Sequence, residues 1–378
     1  MTRNAQCDPN AIARHPSRLD RRALLQLASL AGVAGATLAV ASPLRAETET
    51  AAAKPAAPAV RQPPTATYTS VSGHHMQGPI LSWWLQYGRE QLLGWPITEQ
   101  TKVGDEIRQY FQRGALALRP KSKDPLGVEP VDLGAEWLAR QPKELTAPTK
   151  VDTRAVWWFW QTPYAVHPTF WPAFRDGGGA FAFGYPASWG ITLEGKLAQV
   201  FKRAVLVAAE DGIEALPLGF DEATRLKLAT TPVNRSAQIS EYRSPEFAPD
   251  YGPMEFRWAE VDLTKQVTTF YVGEQVVYKA MISSGRHPYY TPVGEWKIWK
   301  QTASELMIGG EPGTDDYYRL DHVYYAQYFT QLYAAFHYAY WHDDFGKPTS
   351  HGCVNMRLDD SRWAWYFLGI GSHVSVRP

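Results

Sequence analysis

Beyond residue 253 the chain alternates apolar and polar side chains in short runs, 256–262, 267–272 and 276–282. A period of two sends alternate side chains to one buried face and so predicts strands. Gly273-Glu274, between the last two runs, predicts that they are joined by a tight hairpin. A mainly β domain is therefore expected over 254–378. Residues 67–231 follow another pattern. Trp84, Gly88, Leu93-Gly94-Trp95-Pro96 and Gln109-Tyr110-Phe111-Gln112-Arg113 recur as Phe174, Gly178, Phe183-Gly184-Tyr185-Pro186 and Gln199-Val200-Phe201-Lys202-Arg203, at a constant offset of 90 without gaps. Each copy predicts a short aromatic helix, a Gly-aromatic-Pro turn and a two-stranded piece. Gly permits the turn, Pro fixes its exit, and the ring plugs the space between helix and hairpin. This region is expected to be α+β. A Pro- and charge-rich connector, 232–253, follows it. An Ala/Pro-rich linker without apolar period, 47–66, precedes it and reads as a solvated tether.

The first 46 residues read as an address. A basic run, Arg18-Leu19-Asp20-Arg21-Arg22, leads into an apolar stretch over 23–41 and then Pro43-Leu44-Arg45-Ala46. That order predicts an export signal cut after Ala46, and Arg21-Arg22 resembles a twin-arginine signal. Left uncut, the same stretch approaches the ~20 residues that span a bilayer and would act as a membrane anchor. The expected location is the periplasm or cell envelope. The whole chain carries 38 Lys+Arg and 38 Asp+Glu, which excludes the basic footprint of a general nucleic-acid binder. Cleavage would remove six Arg and two Asp, leaving 32 basic residues against 36 acidic. It would also remove Cys7, so Cys353 becomes the one thiol and no intramolecular disulfide forms. A lone thiol in an oxidising compartment calls for burial or a chemical role. The aromatic content is high, and its densest run, Trp157-Trp158-Phe159-Trp160, suits a sugar-stacking or inter-domain surface as well as core mass.

Chemistry concentrates in Ser350-His351-Gly352-Cys353-Val354-Asn355, preceded by His337 and by Trp341-His342-Asp343-Asp344-Phe345-Gly346. A thiol becomes a nucleophile when a nearby imidazole takes its proton. Gly352 lets the backbone pass close to a substrate carbonyl, and the N–H groups of Gly352 and Cys353 suit a developing oxyanion. Acyl transfer through a thioester is the chemistry this predicts. A zinc site made of His337, His342, His351 and Cys353 is the alternative, but it lacks the paired short spacings of structural zinc sites. A papain-like order needs a His well downstream of Cys353, where His373 is the sole candidate. Arg357 suits either a substrate carboxylate or a salt bridge with Asp359 or Asp360. Asp343 and Asp344 read as solvated loop carboxylates.

These motifs, with Ser283-Ser284-Gly285 and Tyr290-Thr291-Pro292-Val293-Gly294-Glu295-Trp296, make residues 254–378 similar to an L,D-transpeptidase catalytic domain of the YkuD type. The resemblance implies a β-sandwich with short helices, in which Cys353 attacks a peptidoglycan stem peptide and His337 accepts and returns the proton. It implies supporting parts for His351 and Gly352, substrate-side parts for Ser350, Asn355, Arg357, Tyr338 and Trp341, and no metal or organic cofactor. Stem peptides are the expected partner, and no nucleic acid is. Tyr338 departs from the Gly that follows the first His in many members, and is expected to narrow the entrance or to alter which carbonyl the imidazole can reach. The duplicated region resembles LGFP-type repeats of wall-associated proteins. Water as acceptor would make the same site an L,D-carboxypeptidase, and a degenerate site would leave a peptidoglycan-binding protein. Adduct formation at Cys353 is expected to fade in acid.

Overall fold

In the computed structural model, residues 65–142, 157–242, 251–314 and 316–378 are described, all within one compact unit. The export signal, most of the tether and part of the connector lie outside the described residues.

The first copy opens with a hairpin, β1 (Ala66–Thr69) and β2 (His74–Gln77), and two short helices, α1 (Gly78–Gln86) and α2 (Arg89–Leu92). A meander follows, β3 (Thr101–Val103), β4 (Glu106–Tyr110), β5 (Ala115–Leu118) and β6 (Val128–Pro130), then α3 (Leu133–Leu138). The second repeats this order: β7 (Trp157–Trp158), β8 (Ala165–Val166), α4 (Trp171–Asp176), α5 (Gly179–Phe183), the meander β9 (Pro186–Leu193), β10 (Lys196–Phe201), β11 (Val205–Ala209) and β12 (Gly212–Ala215), and α6 (Leu218–Arg225).

Each residue of Gln-x-Phe-x-Arg has a physical task. The Gln109 amide donates to the carbonyls of His75 at 2.7 Å and Thr98 at 2.9 Å, tying hairpin to meander. Gln199 does the same with Ala165 at 2.7 Å and Ser188 at 3.0 Å. Phe111 and Phe201 are fully buried. Arg113 and Arg203 donate to the carbonyls of the short helices before the Gly-aromatic-Pro turns, Glu90 and Gln91 in one copy, Ala180 and Phe181 in the other. The Glu90 and Ala180 carbonyls also accept the Gly94 and Gly184 N–H groups, at 3.1 and 2.9 Å, so each Arg braces the end of its helix.

The two copies exchange their last helices. Gly134 of α3 lies against the β10–β11 turn of the other copy, where Ala135 N–H donates to the Lys202 carbonyl at 2.8 Å. Gly219 of α6 lies in turn against the β4–β5 turn of the first copy. One core, including Tyr110, Val131 and Leu133 with Ile191, Val200 and Leu218, therefore belongs to both. A Cβ on Gly219 would sit 1.6 Å from the Phe111 carbonyl oxygen. Gly219→Ala is expected to lower stability by roughly 3 kcal/mol, as overpacking against a fixed backbone does. A urea midpoint within error of the parent's would remove this role.

The carboxy-terminal half is two sheets around one core. Strands β13 (Arg257–Asp262), β14 (Val267–Val272), β15 (Gln275–Met281), β16 (Gly294–Lys297) and β21 (His373–Arg377) make the first, in the order β15-β14-β13-β21-β16. The β14–β15 turn falls at Gly273, whose φ is +59°, as the turn chemistry predicts. The second sheet is β17 (Lys300–Gly309), β18 (Tyr318–Tyr328), β19 (Ala335–Tyr338) and β20 (Val354–Met356), in that order. Ala259, Val261, Phe270 and Val272 meet Phe336, Val354 and Met356 in the core, which α7 (Leu358–Phe367) closes with Ala364 and Phe367. The fold is mainly β, with α+β elements in the amino-terminal half. Among the described residues no helix is long and apolar enough to cross a membrane.

Candidate active site

β19 and β20 run parallel, with Phe336 opposite Val354, His337 opposite Asn355 and Tyr338 opposite Met356. Extending that register puts Ala335 beside Cys353. Phe336 and Val354 point into the core, so Cys353 and His337 share the outer face, roughly 8 Å apart between Cα atoms by strand geometry. On that face Cys353 is half-buried and packs with Ala326, Tyr328, Ala335 and Met307. Its Sγ–H donates to the Tyr333 carbonyl at 3.7 Å.

The His337 ring is fixed in one tautomer. Nδ1 lies 3.0 Å from the Tyr338 carbonyl, which only accepts, so Nδ1 carries the proton and Nε2 is left with its lone pair. The ring is 2% exposed. Burial pushes it down to about 4, against the pull of the Tyr338 carbonyl and of the Glu305 charge. Burial pushes the Cys353 thiol up to about 11, against an Ala335 N–H that favours the thiolate. Near pH 7 the pair is a neutral thiol beside a neutral base rather than a preformed ion pair.

The loop carrying the thiol is held on three sides. Ser350 Oγ donates to the Cys353 carbonyl at 2.5 Å and accepts the Gly352 N–H at 3.1 Å. That N–H is engaged, so of the two amides expected to meet an oxyanion, Cys353 N–H carries the expectation alone. Gly352 has φ +111°, a conformation that glycine takes without strain. Its carbonyl accepts from Thr291 Oγ1 at 3.0 Å, and Thr291 Oγ1 accepts the Gly285 N–H at 2.9 Å. Ser283 and Asn355 exchange backbone hydrogen bonds at 3.0 and 2.9 Å. The Ser-Ser-Gly and Tyr-Thr-Pro stretches thus cradle the thiol loop.

The remaining residues divide. Asn355 meets the buried His342, 2.9 Å from Nε2, while His342 Nδ1 accepts the Asp344 N–H at 3.2 Å. The His342 ring thereby ties the 342–344 turn to β20. Sequence reasoning saw His342 only as a metal candidate. The Trp341 ring lies 5.7 Å from that of His337 and borders the base. His351 joins a separate cluster, 3.4 Å from Arg286 and 3.7 Å from Asp316, between the rings of Tyr289 and Tyr318. Among the described residues no three or more His, Cys, Asp and Glu are grouped to hold a metal.

Three expectations need correction. Tyr338 is fully buried and its hydroxyl donates to the Arg175 carbonyl of α4 at 2.8 Å, so it joins the halves rather than narrowing an entrance. Arg357 pairs with neither Asp359 nor Asp360 as partner and has no face for a substrate; it is 4% exposed and donates to Asp124 at 3.0 Å. Asp343 is half-buried and paired with Arg203 at 2.8 Å, not solvated. That pair, the Tyr185 hydroxyl accepting the Asp343 N–H at 2.8 Å, and Ala180 N–H on the Tyr340 carbonyl at 3.1 Å buttress the segment after His337. Of the Trp-Trp-Phe-Trp run, Phe159 is core and Trp157 stacks on Trp171 at 4.6 Å, whereas Trp160 is 86% exposed.

Sequence reasoning missed Glu305 and Tyr328. Tyr328 packs on Cys353 and donates to the Glu305 carboxylate, which also lies 3.4 Å from Lys300. They sit on the β17–β18 hairpin, and no motif spacing links that hairpin to the thiol.

Among curated proteins none matches the chain. Similar solved structures include an L,D-transpeptidase from Mycobacterium smegmatis, 16% identical, with TM-score 0.32 over 46% of this chain and 67% of that one. L,D-transpeptidase 3 from Mycobacterium tuberculosis, in complex with a faropenem-derived adduct, is 18% identical, with TM-score 0.31 over 46% and 68%. An L,D-transpeptidase from Stackebrandtia nassauensis is 23% identical, with TM-score 0.26 over 33% and 57%. Residues 256–376 match the family model of the L,D-transpeptidase catalytic domain, YkuD.

Proposed function

We propose that the chain is an exported cell-envelope L,D-transpeptidase whose Cys353 forms a thioester with a peptidoglycan stem peptide and passes the acyl group to an amine. The observation that carries this is the His337 tautomer: Nδ1–H is spent on the Tyr338 carbonyl, so the lone pair of Nε2 is available on the face that bears Cys353. His337 takes the thiol proton as Sγ attacks the carbonyl ahead of a terminal D-residue, then gives it to the departing amine. Cys353 N–H faces the oxyanion, Ser350 and His342–Asn355 hold the loop and the following turn, and Trp341 borders the stem. Export through residues 1–46 and a repeat region over 67–231 that buttresses the 340–346 segment belong to the same reading.

The test is a covalent adduct. Purified protein incubated with a tetrapeptide-stem muropeptide should gain, at Cys353, the donor mass less its terminal D-residue, and Cys353→Ala should not. Binding to sacculi with no adduct would mean a peptidoglycan-binding protein instead. An adduct released only by water would mean an L,D-carboxypeptidase.

A pH prediction follows from burial. The base works while neutral and is lost as pH falls through its value of about 4; the thiol stays protonated to about 11. The acylation rate should be flat from about pH 6 to 9 and fall to half near pH 4. A half-point near the ordinary ~6.5 of an exposed imidazole would mean that the ring works in contact with solvent.

A further inference from the structure

The two copies share a register but not a surface. In β1–β2, Thr67 lies opposite Met76 and Tyr68 opposite His75; at the offset of 90, in β7–β8, Trp157 lies opposite Val166 and Trp158 opposite Ala165. The same offset carries His74, which meets Glu99 at 3.3 Å, to Tyr164, whose ring lies 5.8 Å from that of Trp189. It carries Ser70 to Trp160. A polar, partly charged face in the first copy is an uncharged aromatic one in the second.

The first face is in use. The connector lies along β1 as an added strand would: Tyr68 N–H donates to the Ser240 carbonyl at 3.0 Å, Tyr242 N–H to the Tyr68 carbonyl at 2.6 Å, and Ser236 N–H to His75 Nε2 at 3.3 Å. At Trp158 no bridge of this kind forms, and among the described residues β7 pairs with β8 alone. The fold thus builds one holding surface twice, and among the described residues only the first holds a segment of this chain.

What the second suits follows from its chemistry. Trp158 and Trp160 are exposed, and the Trp158 ring lies 5.3 Å from that of Trp189. The indole N–H groups of Trp258, Trp296 and Trp299 each donate to a backbone carbonyl, whereas those of Trp158, Trp160 and Trp189 meet no acceptor among the described residues. A polypeptide held as in the first copy needs polar side chains around its backbone, and a lipid chain needs aliphatic cover. Broad uncharged rings with spare N–H donors fit a ligand that presents apolar C–H faces edged by hydroxyls, which is a pyranose. The patch also borders the reacting pair. The Trp157 ring lies 5.8 Å from that of Tyr340, and the Gln161 amide donates to Asp344 at 3.3 Å. Trp341, beside His337, packs on the core that holds Phe159.

We propose that Trp158, Trp160, Tyr164 and Trp189 form a glycan platform. It takes an uncharged chain of N-acetylated sugars and holds it beside the 340–344 segment while a stem peptide branching from that chain enters the thiol site. The placement of the stem rests on the transpeptidase reading above; the binding of sugar by the rings does not.

The probe is a soluble hexasaccharide of N-acetylglucosamine, titrated into the purified protein and followed by calorimetry. Trp158→Ala and Trp160→Ala should each raise its dissociation constant about tenfold, and Trp158→Phe, which keeps a flat ring, should retain most of the affinity. Both alanine variants should form the Cys353 adduct with a sugarless stem peptide at the parent's rate, and should lag about tenfold on a stem still carried by its glycan at subsaturating concentration. A parent that does not bind the hexasaccharide, or equal affinities in parent and alanine variants, would overturn the platform. So would a sugarless peptide, or a phosphatidylglycerol vesicle, that binds the parent and is lost in Trp158→Ala, since the face would then hold a strand or a membrane. Sugar binding by these rings in a protein that forms no adduct would overturn the transpeptidase reading and leave the platform standing.

Discussion

His337→Gln is expected to slow acylation of Cys353 about 10²–10⁴-fold, the usual worth of a positioned general base. Glutamine keeps a donor for the Tyr338 carbonyl but has no basic nitrogen, so the variant separates proton transfer from loop geometry. The two proteins should also differ in slope. With the base present and the thiol neutral up to about 11, the parent's rate is flat across the neutral range. Without it, only the small thiolate fraction reacts, and the rate should climb about tenfold per pH unit towards that value. A variant whose rate stays flat, or falls less than tenfold, would make the ring a structural part. Stopped incubations with the stem peptide, quenched and weighed by mass spectrometry from pH 6 to 10, read both quantities.

That His337 and Cys353 come together on one sheet face was legible in the sequence, because the contact is short-range in two senses. His337 and Cys353 are separated by a single excursion between adjacent parallel strands, and the residue types leave few other uses for a lone thiol beside glycine. The strands over 257–281 were legible because each buries one face, which prints a period of two. What could not be read depends on partners chosen by the tertiary fold. The offset of 90 reveals two copies but not that α3 of one packs on the meander of the other, since exchanged and unexchanged helices need the same apolar face. Glu305 and Tyr328 reach the thiol only because a long hairpin, with its register set by pairs such as Ser304 with Tyr324, folds beside it. Asp343 looked solvated because charge in a loop usually is; Arg203, 140 residues earlier, pairs with it. Tyr338 looked like an entrance residue for its bulk, yet its hydroxyl is spent on the Arg175 carbonyl of α4, 163 residues earlier in the chain.

Arg357 belongs with these unread partners, and removing it should cost the most stability of any change considered. Its guanidinium donates to Asp124 at 3.0 Å and the Tyr87 hydroxyl at 2.6 Å and lies 4.1 Å from the Phe181 ring centre. Every one of those contacts crosses from the carboxy-terminal half to the amino-terminal half. Both members of the ion pair have side chains no more than 5% exposed, so Arg357→Ala leaves a carboxylate buried without its cation, a loss of about 3–5 kcal/mol. Arg357→Met with Asp124→Asn removes both charges, and should recover most of that loss. The deficit of Arg357→Ala should also grow with pH. Burial pushes Asp360 up to about 7, while Arg357 is the largest of the groups pulling it back down. A carboxyl raised in the folded state contributes stability below its unfolded value of ~3.9, lost as pH rises through its folded value. Without the guanidinium the folded value climbs further, so the carboxylate form costs more in the variant wherever Asp360 ionises. Urea midpoints of parent and variant should therefore diverge from pH 5 to pH 8. Parallel midpoints would mean that Arg357 acts through packing on Phe181 and Tyr87 alone, and a double variant no better than Arg357→Ala would mean the same.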